Sequence, residues 1–182
     1  MKHLILLLLF LPLTLWSQEF RKCPSFNSEE SWEDQNAFFE NEKVVLGLLE
    51  WLTTVPPTEQ LIERSGASIY VMEWITKHPV LKVNVEVGLY EEFLISEDLT
   101  LSYLFGNILY ALKHEGKIKT EAQRIAGLKS LLFLVERSES YSKNKVFKPL
   151  LRANRKGELT EFDKEMWLNH KSQFLLGSEI MN

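Results

Sequence analysis

The sequence predicts an all-α protein, a bundle of five or six amphipathic helices. Two observations carry that expectation. Between residues 32 and 141 apolar side chains recur at three- and four-residue steps. The stretches that do so end at helix-stopping residues, Pro56 and Pro57, Pro79, and Gly116. A third observation limits the alternative: a single stretch alternates with a period of two, and no second one of like quality is there to pair with it.

The chain opens with "MKHLILLLLFLPLTLWS", a charge at Lys2 followed by apolar residues from Leu4 to Trp16 and the small Ser17 before the polar "QEFRK". That is the layout of a secretory signal peptide. Thirteen helical residues would reach about 20 Å, short of a hydrocarbon core of about 30 Å, and Pro12 interrupts them. Residues 1–17 are therefore expected to be removed, although Leu15 fills a place where a small residue is usual, leaving Gln18 as the new amino terminus of a periplasmic or extracellular protein. Residues 18–30 read as a loose arm and 31–182 as one helical domain. Cys23 lies too far from the apolar stretch for a lipid anchor, because Glu19, Phe20, Arg21 and Lys22 intervene. As the sole cysteine it forms no internal disulfide, and in an oxidising compartment it stays free or bridges two chains. Loss of Lys2 moves the formal net charge from −4 to −5, a poor match to nucleic acid.

The first helix is expected from Trp32 to Thr53, with Phe38, Val45, Leu48, Leu49 and Leu52 on its buried face. The second runs from about Thr58 to Lys77, with Leu61, Ile62, Ile69, Met72 and Ile75 as its buried stripe. In "VLKVNVEVGLY" the alternation of Leu81, Val83, Val85, Val87 and Leu89 suggests a short extended segment at about 80–87. An isolated strand leaves its backbone groups unmatched. The segment therefore reads as a connector, with helix resuming near Val85 as far as Ile95, in preference to a strand paired with its copy in a dimer. Ser96, backed by Glu97 and Asp98, caps a fourth helix whose broad apolar face (Leu101, Leu104, Phe105, Ile108, Leu109, Leu112) makes it central. Gly106 inside it calls for close approach of a neighbouring helix. A capping box at Thr120 and Gln123 starts a fifth helix to about Tyr141, with Ile125, Leu128, Leu132 and Val135 inward and Leu131 and Leu134 beside them. Thr160 with Asp163 resembles another box, opening a sixth helix that carries Phe162, Met166 and Trp167.

The pattern Glu-Trp-(Leu/Ile)-Thr-x-x-Pro occurs at Trp51 and again at Trp74, 23 residues on. Two copies are too few for a repeat array. Each sits at the carboxyl end of its helix, so in an antiparallel pair the two tryptophans plug opposite ends, with Glu50 and Glu73 toward solvent. An exposed binding anchor is the alternative for these and for Trp32 and Trp167.

Motifs of chemistry are sparse. His78 and His114 fall in last turns, where the helix dipole favours them, and no histidine pair has the spacing of a zinc site. No nucleophile elbow or phosphate-binding glycine loop occurs, and Glu91–Glu92 and Glu97–Asp98 point about 100° apart as helical neighbours rather than forming a dyad. No metal, cofactor or catalytic residue is assigned. Charge is more informative. Residues 28–42 hold six acids and no base, whereas 143–156 hold Lys143, Lys145, Lys148, Arg152, Arg155 and Lys156 and no acid. The basic segment reads either as a connector over the bundle, its Phe147, Leu150 and Leu151 buried, or as a site for an anionic surface or acidic partner. Attraction between the acidic and basic segments is a third reading.

With its leader, a helix ending "LEWLTTVP", and "MEWITKHPVLKVNVEVGLYEEFL" running into an apolar helix, the chain resembles a group of small secreted all-helical bacterial proteins of unknown function. The likeness spans roughly residues 35–165 and implies an extracytoplasmic helical protein, with no catalytic residues to carry over. The expected function is therefore non-enzymatic binding of another protein or an envelope component, through the basic segment and exposed aromatics. The alternatives are a carrier of a small apolar ligand beside Tyr103, Phe105, Gly106 and Tyr110, and a hydrolase whose site is assembled from distant residues.

Overall fold

In the computed structural model, which describes residues 22–30, 32, 34–56, 58–79, 86, 88–114 and 120–180 (side chains as far as 170), every regular element is helical. Asp34 accepts the Asn36 amide and starts α1 (Gln35–Glu40). The expected first helix is broken at Asn41, after which α2 (Glu42–Thr54) begins. The break has a local cause: the Asn41 side chain donates to Ala37 O at 2.9 Å and accepts from the Tyr70 hydroxyl at 3.0 Å, competing with the helical ladder. Its five expected core residues are all buried.

After Pro56 the chain turns at Gln60, whose φ of 50° is left-handed, into α3 (Leu61–Lys77). Arg64 near the start of α3 donates to Val55 O and Leu52 O, each at 2.9 Å, at the end of α2. Trp74, near the other end, donates to Phe38 O at 3.0 Å in α1. The α2–α3 pair is therefore antiparallel. Trp51 and Trp74 plug it from opposite ends, both buried in one cluster, with Glu50 and Glu73 exposed as expected. Trp32 joins them, tilted against Phe38 and edge-on to Tyr70. Residues 22–30, expected to be loose, lie along this pair. Phe26 sits 5.2 Å from the Tyr70 ring and covers Gly66, and Pro24 faces Gly47.

The extended segment expected at about 80–87 falls, apart from Glu86, outside the described residues. The helix expected to resume there is instead a kinked 3₁₀ stretch, Gly88–Phe93, and it buries Leu89, Tyr90 and Phe93. Ser96 then caps α4 (Glu97–Lys113), accepting the Leu99 amide. α4 is central: its most extensive partner is α5 (Thr120–Arg137), and it also packs on α2. A β-carbon on Gly106 would lie 2.7 Å from Ala126 O and Ser130 Cβ, and one on Gly127 would lie 2.0 Å from Asn107 Nδ2. The two glycines let the helices meet backbone to backbone. Ser102 seals the seam by donating to Ser130 O at 2.9 Å.

The chain closes with α6 (Glu139–Ser142), a 3₁₀ turn at Lys145–Phe147, α7 (Lys148–Lys156) and α8 (Leu159–Ile180). The segment expected as a connector is thus helical. Gly157, at φ 73°, ends α7, with Glu158 N–H returning to Ala153 O at 2.8 Å, as in a Schellman cap. Two apolar clusters result. One is formed by α1–α3 with Phe105 and Ile108 of α4. The other holds Tyr90, Phe93, Leu99 and Tyr103 with the inner face of α5, Phe147, Leu150 and Leu159. α4 contributes to both.

Candidate functional site

Helix α3 carries two apolar stripes. Ala67, Tyr70, Val71 and Trp74 fall at three- and four-residue steps and pack on α1 and α2. Of the stripe expected to be buried, Met72 and Ile75 pack against that cluster and three residues do not. Leu61 is 66 % exposed, Ile62 87 % and Ile69 59 %, while Met72 and Ile75 are half-buried. At about 100° per residue Ile69 sits some 160° from Ala67, so a single helix cannot bury both stripes against one neighbour. The expected stripe is also broken at Ser65 and Gly66.

Beside the exposed stripe α3 and the start of α4 enclose a cleft of about 600 Å³. Met72 and Leu101 line it with apolar surface over the buried Phe105, Leu61 and Ile69 flank it, Ser65, Ser68 and Thr76 add hydroxyls, and Glu73, Glu97 and Asp98 supply charge. Arg64 also borders it, but its guanidinium is held by the two α2 carbonyls. Burial lowers the Arg64 pKa and Asp98 opposes that shift.

The remaining sequence candidates are placed elsewhere. Lys143, Lys145, Lys148, Arg152, Arg155 and Lys156 all stay exposed while Phe147, Leu150 and Leu151 are buried. Acids flanking the segment in sequence and acids of α8 both stand near these bases. Lys143 pairs with Glu139, and Lys156 lies 3.6 Å from Glu158. Lys148 and Arg152 face Glu158, Glu161 and Glu165 across an open groove between α7 and α8. Tyr103, Phe105, Gly106 and Tyr110 do not meet around one space. Gly106 is filled by α5, Tyr103 is in the carboxyl-terminal cluster, Phe105 faces the α3–α4 cleft, and Tyr110 stacks on His114 at 3.9 Å.

The most developed polar constellation was not legible as a site. Arg124 of α5 grips Asp163 of α8 with Nε–Oδ1 at 2.8 Å and Nη2–Oδ2 at 2.7 Å, and its Nη1 donates to Glu86 at 2.9 Å. Tyr90 donates to the same Asp163 carboxylate, and the Trp167 ring lies 4.9 Å from the guanidinium. Asp163 is therefore no capping residue. Helix α8 starts at Leu159, with Phe162 N–H returning to Glu158 O, and the carboxylate points inward, fully buried. The hydrogen bonds to Asp163 hold Arg124 above its ordinary pKa. Burial, and then Asp163, push the Tyr90 phenol well above its ordinary range, and burial does the same for Tyr103. No buried side-chain nitrogen or oxygen among the described residues lacks a partner, so this centre is internally saturated. Its chemistry is that of a lock, joining three elements distant in sequence.

His78 caps α3 among the rings of Phe38, Phe39 and Trp74, and burial lowers its pKa. His114 comes directly after α4, its Nδ1 2.8 Å from Tyr110 O. Cys23 is free and half-buried, and burial, with Glu63 adding to it, raises its pKa, which favours the thiol over the reactive thiolate. Among the described residues no three of His, Cys, Asp and Glu gather closely enough to hold a metal ion, and no helix is long and apolar enough to cross a membrane. Comparison of the chain with protein-family models, curated proteins and solved structures returns no match.

Proposed function

We propose that this protein is exported and acts by binding another protein rather than by catalysis, and that the contact surface is the α3–α4 cleft with the aliphatic stripe beside it. The observation that carries the reading is the exposure of Leu61, Ile62 and Ile69 along one helix, next to an apolar-lined cleft. Leu61 and Ile62 on one turn and Ile69 two turns on leave apolar surface exposed on either side of Ser65 and Gly66, and exposed apolar surface rimmed by polar residues marks interaction sites. Export is supported by the leader sequence, and by the resemblance to small secreted helical proteins. The carrier reading draws less support, because α5 fills the space at Gly106. The basic segment draws less as well, because acids of α6 and α8 stand opposite it.

Two measurements test the proposal. The mass of the exported chain should correspond to a start at Gln18; an intact leader on the mature protein removes the export reading. A photo-crosslinking residue at position 69 should capture a discrete partner in the producing cells, and one at position 152 should not. Adding Ile62→Asp should abolish the adduct at 69. An adduct indifferent to that change removes the cleft as the contact surface.

A further inference from the structure

We infer that the α3–α4 cleft receives a cationic amphipathic helix of the partner protein. This rests on the binding reading above and specifies the partner's chemistry. From Leu61 to Thr76 the cleft face of α3 runs about 22 Å, the length of a helix of about 15 residues. An apolar trough of that length takes a helix that presents anchors at i, i+3, i+4 and i+7. Leu61, Ile69, Met72 and Leu101 give the cleft its apolar surface, with the hydroxyls of Ser65, Ser68 and Thr76 between them, so the inserted stripe is mainly apolar. What selects among apolar stripes is the rim. Among the described lining residues Glu73 stands on the α3 wall and Glu97 and Asp98 on the α4 wall, three acids to one base, Arg64, which keeps its charge but is held by the Val55 and Leu52 carbonyls. The Glu73–Lys77 pair, at 3.8 Å and open to solvent, is of the weak class that a partner displaces. Charge complementarity of this kind steers approach and rejects like-charged competitors. Lysine or arginine flanking the partner's apolar stripe meets acids on both walls, and an acidic helix of the same shape is repelled.

The test uses the purified protein with two synthetic 15-residue amphipathic helices. One has leucine on one face and lysine on the other, and its twin has glutamate for lysine. Binding is read by fluorescence anisotropy at physiological salt, with circular dichroism confirming that each variant is folded. The leucine–lysine peptide should bind at least tenfold more tightly than its twin. Ile69→Asp should weaken it at least tenfold. Glu73→Lys with Glu97→Lys should reverse the preference between the twins, while Glu158→Lys with Glu161→Lys at the α7–α8 groove should leave it in place. Equal binding of both peptides, lost in Ile69→Asp, overturns the charge assignment and leaves the docking cleft standing. Binding of neither peptide overturns the helix assignment. Peptide binding indifferent to Ile69→Asp overturns both readings. A self-association of the protein that Ile69→Asp abolishes assigns the cleft to a second copy, and the inference fails.

Discussion

Arg124 illustrates how much a single side chain organises. Its guanidinium satisfies carboxylates from chain positions 86 and 163 and supports a tryptophan ring, and its pair with Asp163 is nearly dry. Removing one member of a buried ion pair leaves the other charge uncompensated, at about 3–5 kcal/mol. Arg124→Met is therefore expected to lower stability by about that amount in urea unfolding, while the same change with Asp163→Leu and Tyr90→Phe costs less than the sum of its parts. Tyrosine burial adds a pH dependence. Tyr70 is pushed up to about 12 by burial and Glu30, and Tyr90 and Tyr103 are also raised. The unfolded phenols ionise near pH 10, so above that pH the unfolded state sheds protons that the folded state keeps. Stability is thus full below about pH 10 and falls as pH rises further; absorbance of phenolate should appear together with loss of helix. His78 works at the other limit. Its folded pKa is depressed, so its contribution is present above the unfolded value of about 6.5 and is lost as pH falls below it. His78→Phe should flatten the midpoint-versus-pH curve between pH 5 and 7.

Among the elements, the α4–α5 seam is the least forgiving. Alanine in place of a helical glycine gains about 1 kcal/mol in propensity. At Gly106 the added carbon meets backbone of the opposite helix, Ala126 O at 2.7 Å and Gly127 Cα at 3.0 Å, which cannot rotate away. Overpacking costs about 1–3 kcal/mol, so Gly106→Ala should destabilise. Gly47→Ala, whose nearest neighbour is Pro24 Cγ at 3.9 Å, should stabilise by about 0.5–1 kcal/mol. Thermal midpoints of the two variants should move in opposite directions. The seam was legible: a glycine in so apolar a helix implied close approach. The face of α3 was not, because two apolar stripes share that helix and only the neighbours decide which is covered. The helical state of 145–156 was hidden for a related reason. Its apolar residues are few and its charges many, and its stability comes from Phe147 and Leu150 docking into a cluster built by other elements. Asp163 was misread because a local cap and a distant arginine place the same demand on a carboxylate near a helix start.

Across the whole molecule, α4 ties the two apolar clusters together, since Tyr103 belongs to one and Phe105, two residues on, to the other. Damage to one cluster should therefore be felt in the other. Phe147→Ala, in the carboxyl-terminal cluster, is expected to cost about 3–5 kcal/mol. Because Trp32, Trp51 and Trp74 all lie in the amino-terminal cluster, a Trp167→Phe background restricts the described tryptophan signal to that half. Its fluorescence midpoint should then fall in step with circular dichroism; a fluorescence transition left in place would show two independently unfolding halves. The separation in sequence of Arg124 and Asp163 has a consequence for biosynthesis. A chain made from its amino end carries the arginine for 39 residues before the bidentate carboxylate exists. Until then Tyr90 has no acceptor at that position, and Arg124 lacks its bidentate partner. Nascent chains halted before residue 163 should be more open to protease around Tyr90 and Arg124 than chains that extend past it.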